Sequence, residues 1–476
     1  MIWADDLLAA SVNDFGSEAE WLMIAGKEKE LIFKLRHNCL NLGDQAITSD
    51  IFQGVKTGAD YAYKMDKMAA GTYRCSPPNL PSYEVKLEDK LLYPILSGPE
   101  SKRYEDPATE TYLLFPYERQ NGVPTLIDEK KMQKSFPLSW KHLNNWKEKL
   151  IERDAGELNA PDWYRFSRSQ SLDRFGQPKL IVAGTVPSLR LAFEQSGAFF
   201  LTGGRVDGIV TSKQNDPWFL LGTLNSSVAD FVFRRIGRPK QGGWFEANKQ
   251  FIAPLPIPHA DKKQQAEIGK RAKQLQEKWT ARRDLLAEAE ERLGVLARRS
   301  YKPDFLWPDI PSITPLKLAA PKKLHDTEKT AWATTQRSDM VEARLEALQG
   351  HLKSGEPLEV QFKKGELRLT ADSRPILAQI YLDEAEGQTA ETYWRFLIVK
   401  KPKQATTFAK QLAQIPASPE MPAARQFVQR VETLLKETRL IAKLENEMNQ
   451  ALYKLYNLSP EEQALIEDDC KRQALL

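Results

Sequence analysis

Two segments of the chain place aromatic rings beside cations and amides, the residue types that contact nucleic acids. Residues 163–170 run Trp-Tyr-Arg-Phe-Ser-Arg-Ser-Gln, and residues 231–240 contain four cations and no acid. Arginine binds guanine edges in a bidentate manner, and glutamine does the same with adenine. The second segment continues into Gln241-Gly242-Gly243-Trp244, where glycine lets the backbone approach a phosphate closely. These patterns suit DNA contact, and a solvated surface with ordinary ion pairs is an equal alternative for each.

Motifs for catalysis are absent or incomplete. The sequence has no phosphate-binding Gly-rich loop, no dinucleotide fingerprint and no nucleophile elbow. Ser76-Pro77-Pro78-Asn79 resembles the tetrapeptide with which amino-methyltransferases hold a flipped base, but Asn79 cannot stack on a base. Glu84-Val85-Lys86 and Glu129-Lys130-Lys131 match only half of a nuclease metal motif. We therefore predict no catalytic residue in this chain, and an ordinary turn at residues 76–79.

Composition limits the class of protein. With 476 residues, 41% hydrophobic and 28% charged, the chain is long enough for two to four domains and too apolar for global disorder. Three distant cysteines and five isolated histidines form no metal-ligand pattern, and no apolar run is long enough to span a membrane. We expect no metal, no cofactor of its own and a cytoplasmic location. The net charge of +4 excludes a polycationic tail but not a local basic surface.

A proline-rich connector, Ala253-Pro254-Leu255-Pro256-Ile257-Pro258, divides two regions of different texture. Residues 1–258 carry no net charge, and residues 259–476 carry the whole +4. The first region mixes short strands and helices without regular βα alternation, which predicts an α+β fold. Its candidate strands are 112–115, 179–183 and 198–201, and its candidate helices are 27–38, 140–153 and 217–236.

Two long amphipathic helices are predicted after the connector. Residues 262–299 and 427–455 each place nine seam positions at alternating spacings of four and three, with Arg282 as the one break in the first apolar seam. Because the two seams have equal length, we expect them to bury each other as an antiparallel coiled coil. The alternative is two helices that pack on separate globular bodies.

A small module is expected between the two helices. Residues 358–362 and 366–370 alternate around Lys363-Lys364-Gly365, which predicts a hairpin, and residues 392–399 are a further strand candidate. The predicted architecture is therefore a mixed α/β target-recognition domain followed by a long antiparallel helical coiled coil with a small inserted α+β module. The predicted boundaries are a recognition domain at 1–258, a first coiled-coil helix at 259–300, a Pro-rich linker at 301–334, the module at 335–420, and a second coiled-coil helix with the tail at 421–476.

A series of short motifs resembles a known family. The decapeptide from Ile51 to Asp60, Ile-Phe-Gln-Gly-Val-Lys-Thr-Gly-Ala-Asp, is similar to the opening motif of the TaqI-like C-terminal specificity domain, the target-recognition part of type IIG-like restriction-modification adenine methyltransferases. The connector and the long helix are also similar to type I specificity subunits. The resemblance covers residues 20–258 well and the helices moderately, and residues 303–420 match nothing in it. Further blocks follow in order at 91–96, 112–117, 136–153, 163–170, 179–181, 220–226, 242–258 and 452–462.

The resemblance implies a DNA specificity subunit, or the C-terminal specificity region of a longer enzyme, in a restriction-modification or phage-defence system. It would bind double-stranded DNA and dock an adenine DNA methyltransferase, in some systems with a nuclease. On its own it would not be an enzyme, and S-adenosylmethionine would bind to the partner. The alternative is an interaction protein of a defence complex that acts through its coiled coil. The DNA-binding candidates are Gln53, Lys56, Thr57, Arg165, Arg168, Gln170, Arg174, Arg234, Arg235, Arg238, Lys240 and Trp244.

Overall fold

The chain has an α+β fold, as predicted, with 49% helix and 22% strand. The structure, a computed structural model, describes residues 26–120, 123–158, 161–168, 171–308, 310, 323–371, 375–417 and 421–474. It forms two compact units. The first unit contains the described residues up to Thr280 together with Lys443–Cys470, and the second contains Ala281–Ala442. The domain boundaries expected from the sequence stay predictions.

The first unit is built from short elements. Its early helices are α1 (Gly26–Asn38), α2 (Asp60–Tyr63), α3 (Glu129–Ser135), α4 (Pro137–Asn145), α5 (Lys147–Ile151), α6 (Pro217–Leu224), α7 (Ser227–Ile236) and α8 (Lys249–Ile252). Its strands are β1 (Leu40–Asn41), β2 (Thr48–Gln53), β3 (Lys64–Ala69), β4 (Thr72–Cys75), β5 (Tyr83–Lys86), β6 (Leu92–Leu96), β7 (Thr111–Leu114), β8 (Tyr117–Gln120), β9 (Val123–Leu126), β10 (Lys179–Ala183), β11 (Thr185–Val186), β12 (Leu191–Glu194), β13 (Phe200–Leu201), β14 (Val206–Thr211), β15 (Pro239–Lys240), β16 (Trp244–Glu246) and β17 (Pro256–Ile257).

Two sheets organise this unit. One has six strands in the order β13-β6-β7-β3-β4-β5, and β13 pairs with β6 in parallel. The other has four antiparallel strands in the order β12-β10-β14-β2. Every residue of β10, with the sequence Lys-Leu-Ile-Val-Ala, is buried, as expected for an apolar run at the centre of a sheet. A smaller sheet, β11-β16-β15, and the pairs β8-β9 and β1-β17 complete the unit.

The second unit contains parts of both long helices and the elements between them. It begins within α9 (Lys262–Gly294), at Ala281, and ends within α13 (Pro422–Leu455), at Ala442. Strands β19 (Leu358–Lys363), β20 (Glu366–Ala371) and β21 (Ile376–Tyr381) form an antiparallel sheet. The predicted hairpin turn is at Lys364-Gly365, and both residues have positive φ. The elements are β18 (Arg298–Ser300), α10 (Asp326–Ser354), β19 (Leu358–Lys363), β20 (Glu366–Ala371), β21 (Ile376–Tyr381), α11 (Glu384–Val399), α12 (Ala405–Leu412), β22 (Gln414–Pro416), α13 (Pro422–Leu455) and α14 (Pro460–Ala474), the last belonging mainly to the first unit.

Helices α9 and α13 pair in the antiparallel sense, as predicted. In the first unit, Trp279 donates its indole N–H to Glu445 at 3.2 Å. In the second, Arg282 donates to the Thr438 hydroxyl at 3.2 Å, and Arg430 and Glu288 form an ion pair at 2.7 Å. Along these three contacts the residue numbers rise on α9 and fall on α13, so the two helices run in opposite directions.

The same helices also pack on the globular part of the first unit. A Cβ placed on Gly222 of α6 would approach Ile268 of α9 and Met448 of α13, each at 3.1 Å. Gln276 of α9 accepts the backbone N–H of Phe193 at 2.8 Å. The seam is therefore shared between helix pairing and packing on one globular body, and the alternative of two helices on separate bodies does not hold.

Three predicted elements were wrong in detail. The helix expected at 140–153 is split into α4 and α5 at Trp146. The helix expected at 217–236 is split at Asn225, whose side chain exchanges two hydrogen bonds with the backbone of Leu191, at 2.8 and 3.0 Å. The strand expected at 392–399 is the end of helix α11. Buried residues there recur at helical spacing, and Asp383 caps the helix.

Candidate nucleic-acid interface

A cleft of about 370 Å³ lies where strand β2 ends, and we call it the basic cleft. Its polar lining includes Asp50 and Gln53 from β2, Lys56 from the next loop, Arg168, and Lys249 from α8. Gln53 and the three cations are exposed to solvent. The cleft thus presents three positive charges, one negative charge and one amide to a ligand.

The loop after β2 is held close to a second loop by its glycine. A Cβ on Gly54 would lie 2.1 Å from the carbonyl oxygen of Leu201, so only glycine fits without movement. Val55 donates its N–H to the same carbonyl at 2.8 Å, and Gly203 donates to the Val55 carbonyl at 2.8 Å. These contacts fix the backbone that carries Lys56.

Two of the predicted DNA-binding segments meet at this cleft. Arg168 donates its backbone N–H to the Lys56 carbonyl, and Ser167 donates to the Thr57 carbonyl, both at 3.2 Å. The Lys56 and Arg168 side chains, 112 positions apart in sequence, therefore emerge from adjacent backbone positions. The pattern of rings and cations had indicated residues 163–170 and the family resemblance had indicated residues 51–60, and neither gave a signal that the two segments were neighbours.

A buried arginine outside the predicted set joins these segments. Arg153 donates to the carbonyls of Thr57 at 2.6 Å, Trp163 at 2.8 Å and Arg165 at 2.9 Å. The buried Arg153 side chain holds the backbone of the two segments and does not face a ligand, so Arg153 is a positioning residue. The lone arginine near the end of a charged segment carried no signal of this role.

Other predicted residues of these segments have protein partners. Thr57 is buried, and its hydroxyl donates to Asp60 at 2.6 Å, so its side chain shapes the loop and does not face solvent. Arg165 forms an ion pair with Asp162 at 2.8 Å. Gln170 lies outside the described residues.

Asp50 balances part of the positive charge of the basic cleft. Arg174 lies 2.9 Å from its carboxylate, and Lys249 lies 4.0 Å from it. Arg174 is therefore held at the edge of the cleft by an acid that the sequence patterns did not identify. Lys249 was also missed, because it follows the basic segment by nine residues and stands alone in the sequence.

A buried carboxylate lies close behind the cleft. Asp207 of β14 is paired in register with Gln53 of β2, and it accepts the backbone N–H of Lys249 at 3.1 Å. Burial raises the pKa of Asp207 to about 6, and the N–H and the charges of Lys249 and Lys56 oppose that rise. The charge behind the cleft therefore changes near neutral pH.

A short hairpin, β15-β16, carries three further predicted residues. Gly242 and Gly243 have φ values of 78° and 75° at its turn, a region that glycine adopts without strain. Lys240 lies 2.6 Å and Arg238 lies 3.9 Å from the carboxylate of Glu246, and hydrogen bonding from Lys240 lowers the pKa of Glu246. Trp244 is 40% exposed, with the guanidinium of Arg190 5.8 Å from its ring centre.

Exposed Arg205 belongs to a loop whose backbone is hydrogen-bonded toward both the hairpin and the loop that carries Lys56. Its carbonyl accepts the N–H of Gly184 at 2.7 Å, and Ala247, next to β16, donates to the Gly184 carbonyl at 3.0 Å. Through Gly203 the same loop bonds to Val55. We call the basic cleft, Arg205 and the hairpin together the basic surface.

Two predicted phosphate contacts are not on that surface. Both side chains are about nine-tenths buried: Arg234 binds Asp230 at 2.6 and 2.8 Å, and Arg235 binds Glu28 and Asp469 at 2.9 and 3.2 Å. They lie on α7, where a helical turn of 3.6 residues directs them inward, while Arg238 and Lys240 lie beyond the helix end. Of the four clustered cations, Arg234 and Arg235 thus have a structural role, and Arg238 and Lys240 are exposed.

The described residues hold neither a membrane-spanning helix nor a cluster of metal ligands. None of the described helices is long and apolar enough to cross a membrane. No group of three or more potential metal ligands occurs within the described part of the chain. The segment 76–79 lies in the turn region between β4 and β5, with Pro77 buried and the other three residues exposed, and the Ser76 hydroxyl lies 3.0 Å from that of Ser82.

Comparison with known proteins gives a sequence match to a restriction-modification enzyme. No protein-family model matches the chain. Over 274 residues the chain is 19% identical to the type II restriction enzyme and methyltransferase RM.Eco57I of Escherichia coli, and the match covers 54% of this chain and 27% of that protein. The chain therefore spans about a quarter of the length of that relative.

A solved structure gives a weaker likeness. The type IIG restriction endonuclease BpuSI superposes with a TM-score of 0.32 at 15% identity, over 66% of this chain and 33% of that one. The sequence match relates this chain to the proteins of restriction-modification systems.

Proposed function

We propose that this chain recognises duplex DNA for an adenine-methylating restriction-modification system, as a specificity subunit or as the specificity region of a longer enzyme. The observation that carries the proposal is the backbone pairing of Lys56 with Arg168. That pairing brings two separately suspected DNA-binding segments to one exposed, cationic cleft.

Within this proposal the residues of the basic surface have two roles. Lys56, Arg168 and Lys249 contact phosphates, because flexible exposed cations bind the DNA backbone without regard to sequence. Gln53 contacts a base edge, since an amide both donates and accepts hydrogen bonds, as recognition of adenine requires. The remaining candidates for DNA contact are Arg174 and Arg205 near the cleft, and Arg238, Lys240 and Trp244 at the hairpin.

The partner in this proposal is an adenine DNA methyltransferase, which supplies S-adenosylmethionine binding and the methyl transfer. The relative RM.Eco57I is named as both a restriction enzyme and a methyltransferase, and this chain matches about a quarter of it. In the proposal, the paired helices α9 and α13 dock the catalytic part, and the chain itself holds the duplex in register.

Selection from a pool of random duplexes tests sequence recognition. The full chain is incubated with the pool at low salt, bound DNA is recovered and amplified over several cycles, and the products are sequenced. We expect one short, asymmetric site to be enriched. We expect Gln53→Ala to relax the preference at one position of that site while Lys213→Ala, a lysine outside the basic surface, leaves it intact. Retention of DNA without enrichment of any sequence would contradict a recognition role.

A further inference from the structure

The first unit contains a further cavity, of about 550 Å³, with six aromatic rings in its lining. We call it the aromatic cavity. Its volume is within the range of roughly 300–1,000 Å³ that is usual for pockets holding small molecules. Its rings are those of Tyr93, Phe115, Tyr117, Phe136, Phe175 and Phe200.

The rings provide flat surfaces at the cavity wall. Phe175 and Phe200 are stacked with centroids 4.5 Å apart and an interplanar angle of 18°. Phe115 lies 4.7 Å from Phe200, and Tyr93 lies 5.3 Å from Phe200. Most of these rings are buried, but Tyr93 is 37% exposed, so it marks the side from which a ligand reaches the cavity. An arrangement of this kind suits a planar ring.

The rim of the cavity is charged. Lys90, Arg119 and Lys131 line it and are exposed, and Glu118 is the acid among its lining residues. Glu118 is paired with Lys131, which leaves the rim with a net positive charge. A planar ligand that carries a phosphate therefore matches both the wall and the rim.

The aromatic cavity and the basic cleft share a wall. Phe52 lines the cleft and Phe175 lines the cavity, and their rings make an edge-to-face contact with centroids 5.5 Å apart. The short helical turn Leu172–Arg174 connects them as well, because Ser171 lines the cleft and Leu172 lines the cavity. The cavity and the cleft are thus immediate neighbours in the first unit.

We propose that the aromatic cavity takes an unpaired nucleobase of the DNA that is bound at the basic cleft. The proposal rests on the proposed function. The base stacks on Tyr93, and the cations of the rim contact the phosphates beside it. Stacking on aromatic rings tolerates every base because each base has a flat face, so the cavity favours an unstacked nucleotide rather than a particular sequence.

The test compares two duplexes of the same sequence, one fully paired and one with a single unpaired adenine. Their affinities for the full chain are measured by fluorescence anisotropy at low salt, and the ratio of the two affinities is the readout. We expect the duplex with the unpaired adenine to bind about tenfold more tightly, in keeping with the measured strength of base stacking on aromatic rings. Tyr93→Ala should bring the ratio close to one, and Tyr93→Phe, which keeps the ring, should preserve it.

A control separates this proposal from the proposed function. Lys56→Ala should weaken binding of both duplexes and leave their ratio unchanged. Binding of both duplexes with equal affinity, or a ratio that Tyr93→Ala does not change, would overturn the base site while leaving the DNA-binding role intact. Binding of neither duplex would overturn both proposals. If the two duplexes bind equally and free deoxyadenosine monophosphate binds in a manner that Tyr93→Ala abolishes, the cavity takes a free nucleotide and the proposal is wrong.

Discussion

Arg235 and Asp469 form an ion pair at 3.2 Å, and each side chain is only 11% exposed. The guanidinium also lies 2.9 Å from Glu28 and packs on the Phe231 ring, at 3.5 Å from the ring centre. One arginine thus connects helices α1, α7 and α14 of the first unit. The sequence had suggested a phosphate contact at this position, and the structure gives it a part in holding helices together.

Arg235→Ala is therefore expected to lower stability rather than act first on DNA binding. Removing one partner of a buried ion pair leaves the others without compensation and costs about 3–5 kcal/mol. Urea unfolding of the full chain measures the loss. The matched control is Arg238→Ala, whose side chain is 71% exposed and should change the free energy of unfolding by less than about 0.5 kcal/mol. Equal effects of the two variants would refute the structural role of Arg235.

The hairpin allows charge and stacking to be separated within one element. Lys240→Ala should weaken DNA binding and reduce the slope of log affinity against log salt by about 0.9, the value for one phosphate contact. Trp244→Ala should weaken binding several-fold with the slope unchanged, because an indole releases no counterions. Titrations at four salt concentrations measure both. A change of slope for Trp244→Ala, or an unchanged slope for Lys240→Ala, would disprove these roles.

Gly54→Ala tests the loop that carries Lys56. The added Cβ would meet the backbone of Leu201 at 2.1 Å, so the loop must shift. Forcing an atom into packed structure costs about 1–3 kcal/mol, and we expect a loss of that size together with weaker DNA binding. Gly98→Ala is the control, since the nearest atom to its Cβ would be 3.8 Å away. If thermal unfolding places the two variants at the same stability, close packing does not determine the position of this loop.

Asp207 predicts a pH dependence of stability. Its pKa is about 6 in the folded chain and 3.8 in an unperturbed side chain, so folding favours the protonated form. The stabilising effect of its proton is complete below about pH 4 and is lost as the pH rises through about 6. The native chain, relative to Asp207→Asn, should therefore gain on the order of 3 kcal/mol of unfolding free energy between about pH 7 and pH 4. Urea titrations across that range measure the difference, and a constant difference would contradict the burial argument.

The sequence predicted an element correctly where an apolar repeat extended over many residues or where a turn required a particular residue type. The seams of α9 and α13 recur over nine positions, and the Lys364-Gly365 turn requires positive φ, so local pattern sufficed in both cases. Residues 392–399 are rich in β-branched and aromatic side chains, which favour a strand. The segment is instead helical, because Asp383 caps the helix and one helical face is buried. Both features depend on tertiary packing around the segment.

The candidate site was harder to predict, because its residues are distant in sequence. Lys56 and Arg168 were identified separately, but their backbone pairing is a tertiary contact that no short pattern contains. Lys249 and Asp50 were missed for the same reason. Arg234 and Arg235 resembled their exposed neighbours in sequence, and only the direction of helix α7 shows that they face inward.

The most direct test of the central claim is the salt dependence of duplex binding by the full chain and by a variant of the basic cleft. The variant combines Lys56→Ala, Arg168→Ala and Lys249→Ala, three exposed side chains whose removal leaves the core unchanged. We predict that the native chain binds duplex DNA at low salt and that the variant binds more weakly, with a salt slope smaller by roughly 2–3. Absence of binding by the native chain, or the same slope for both proteins, would contradict the assignment of the basic cleft to DNA.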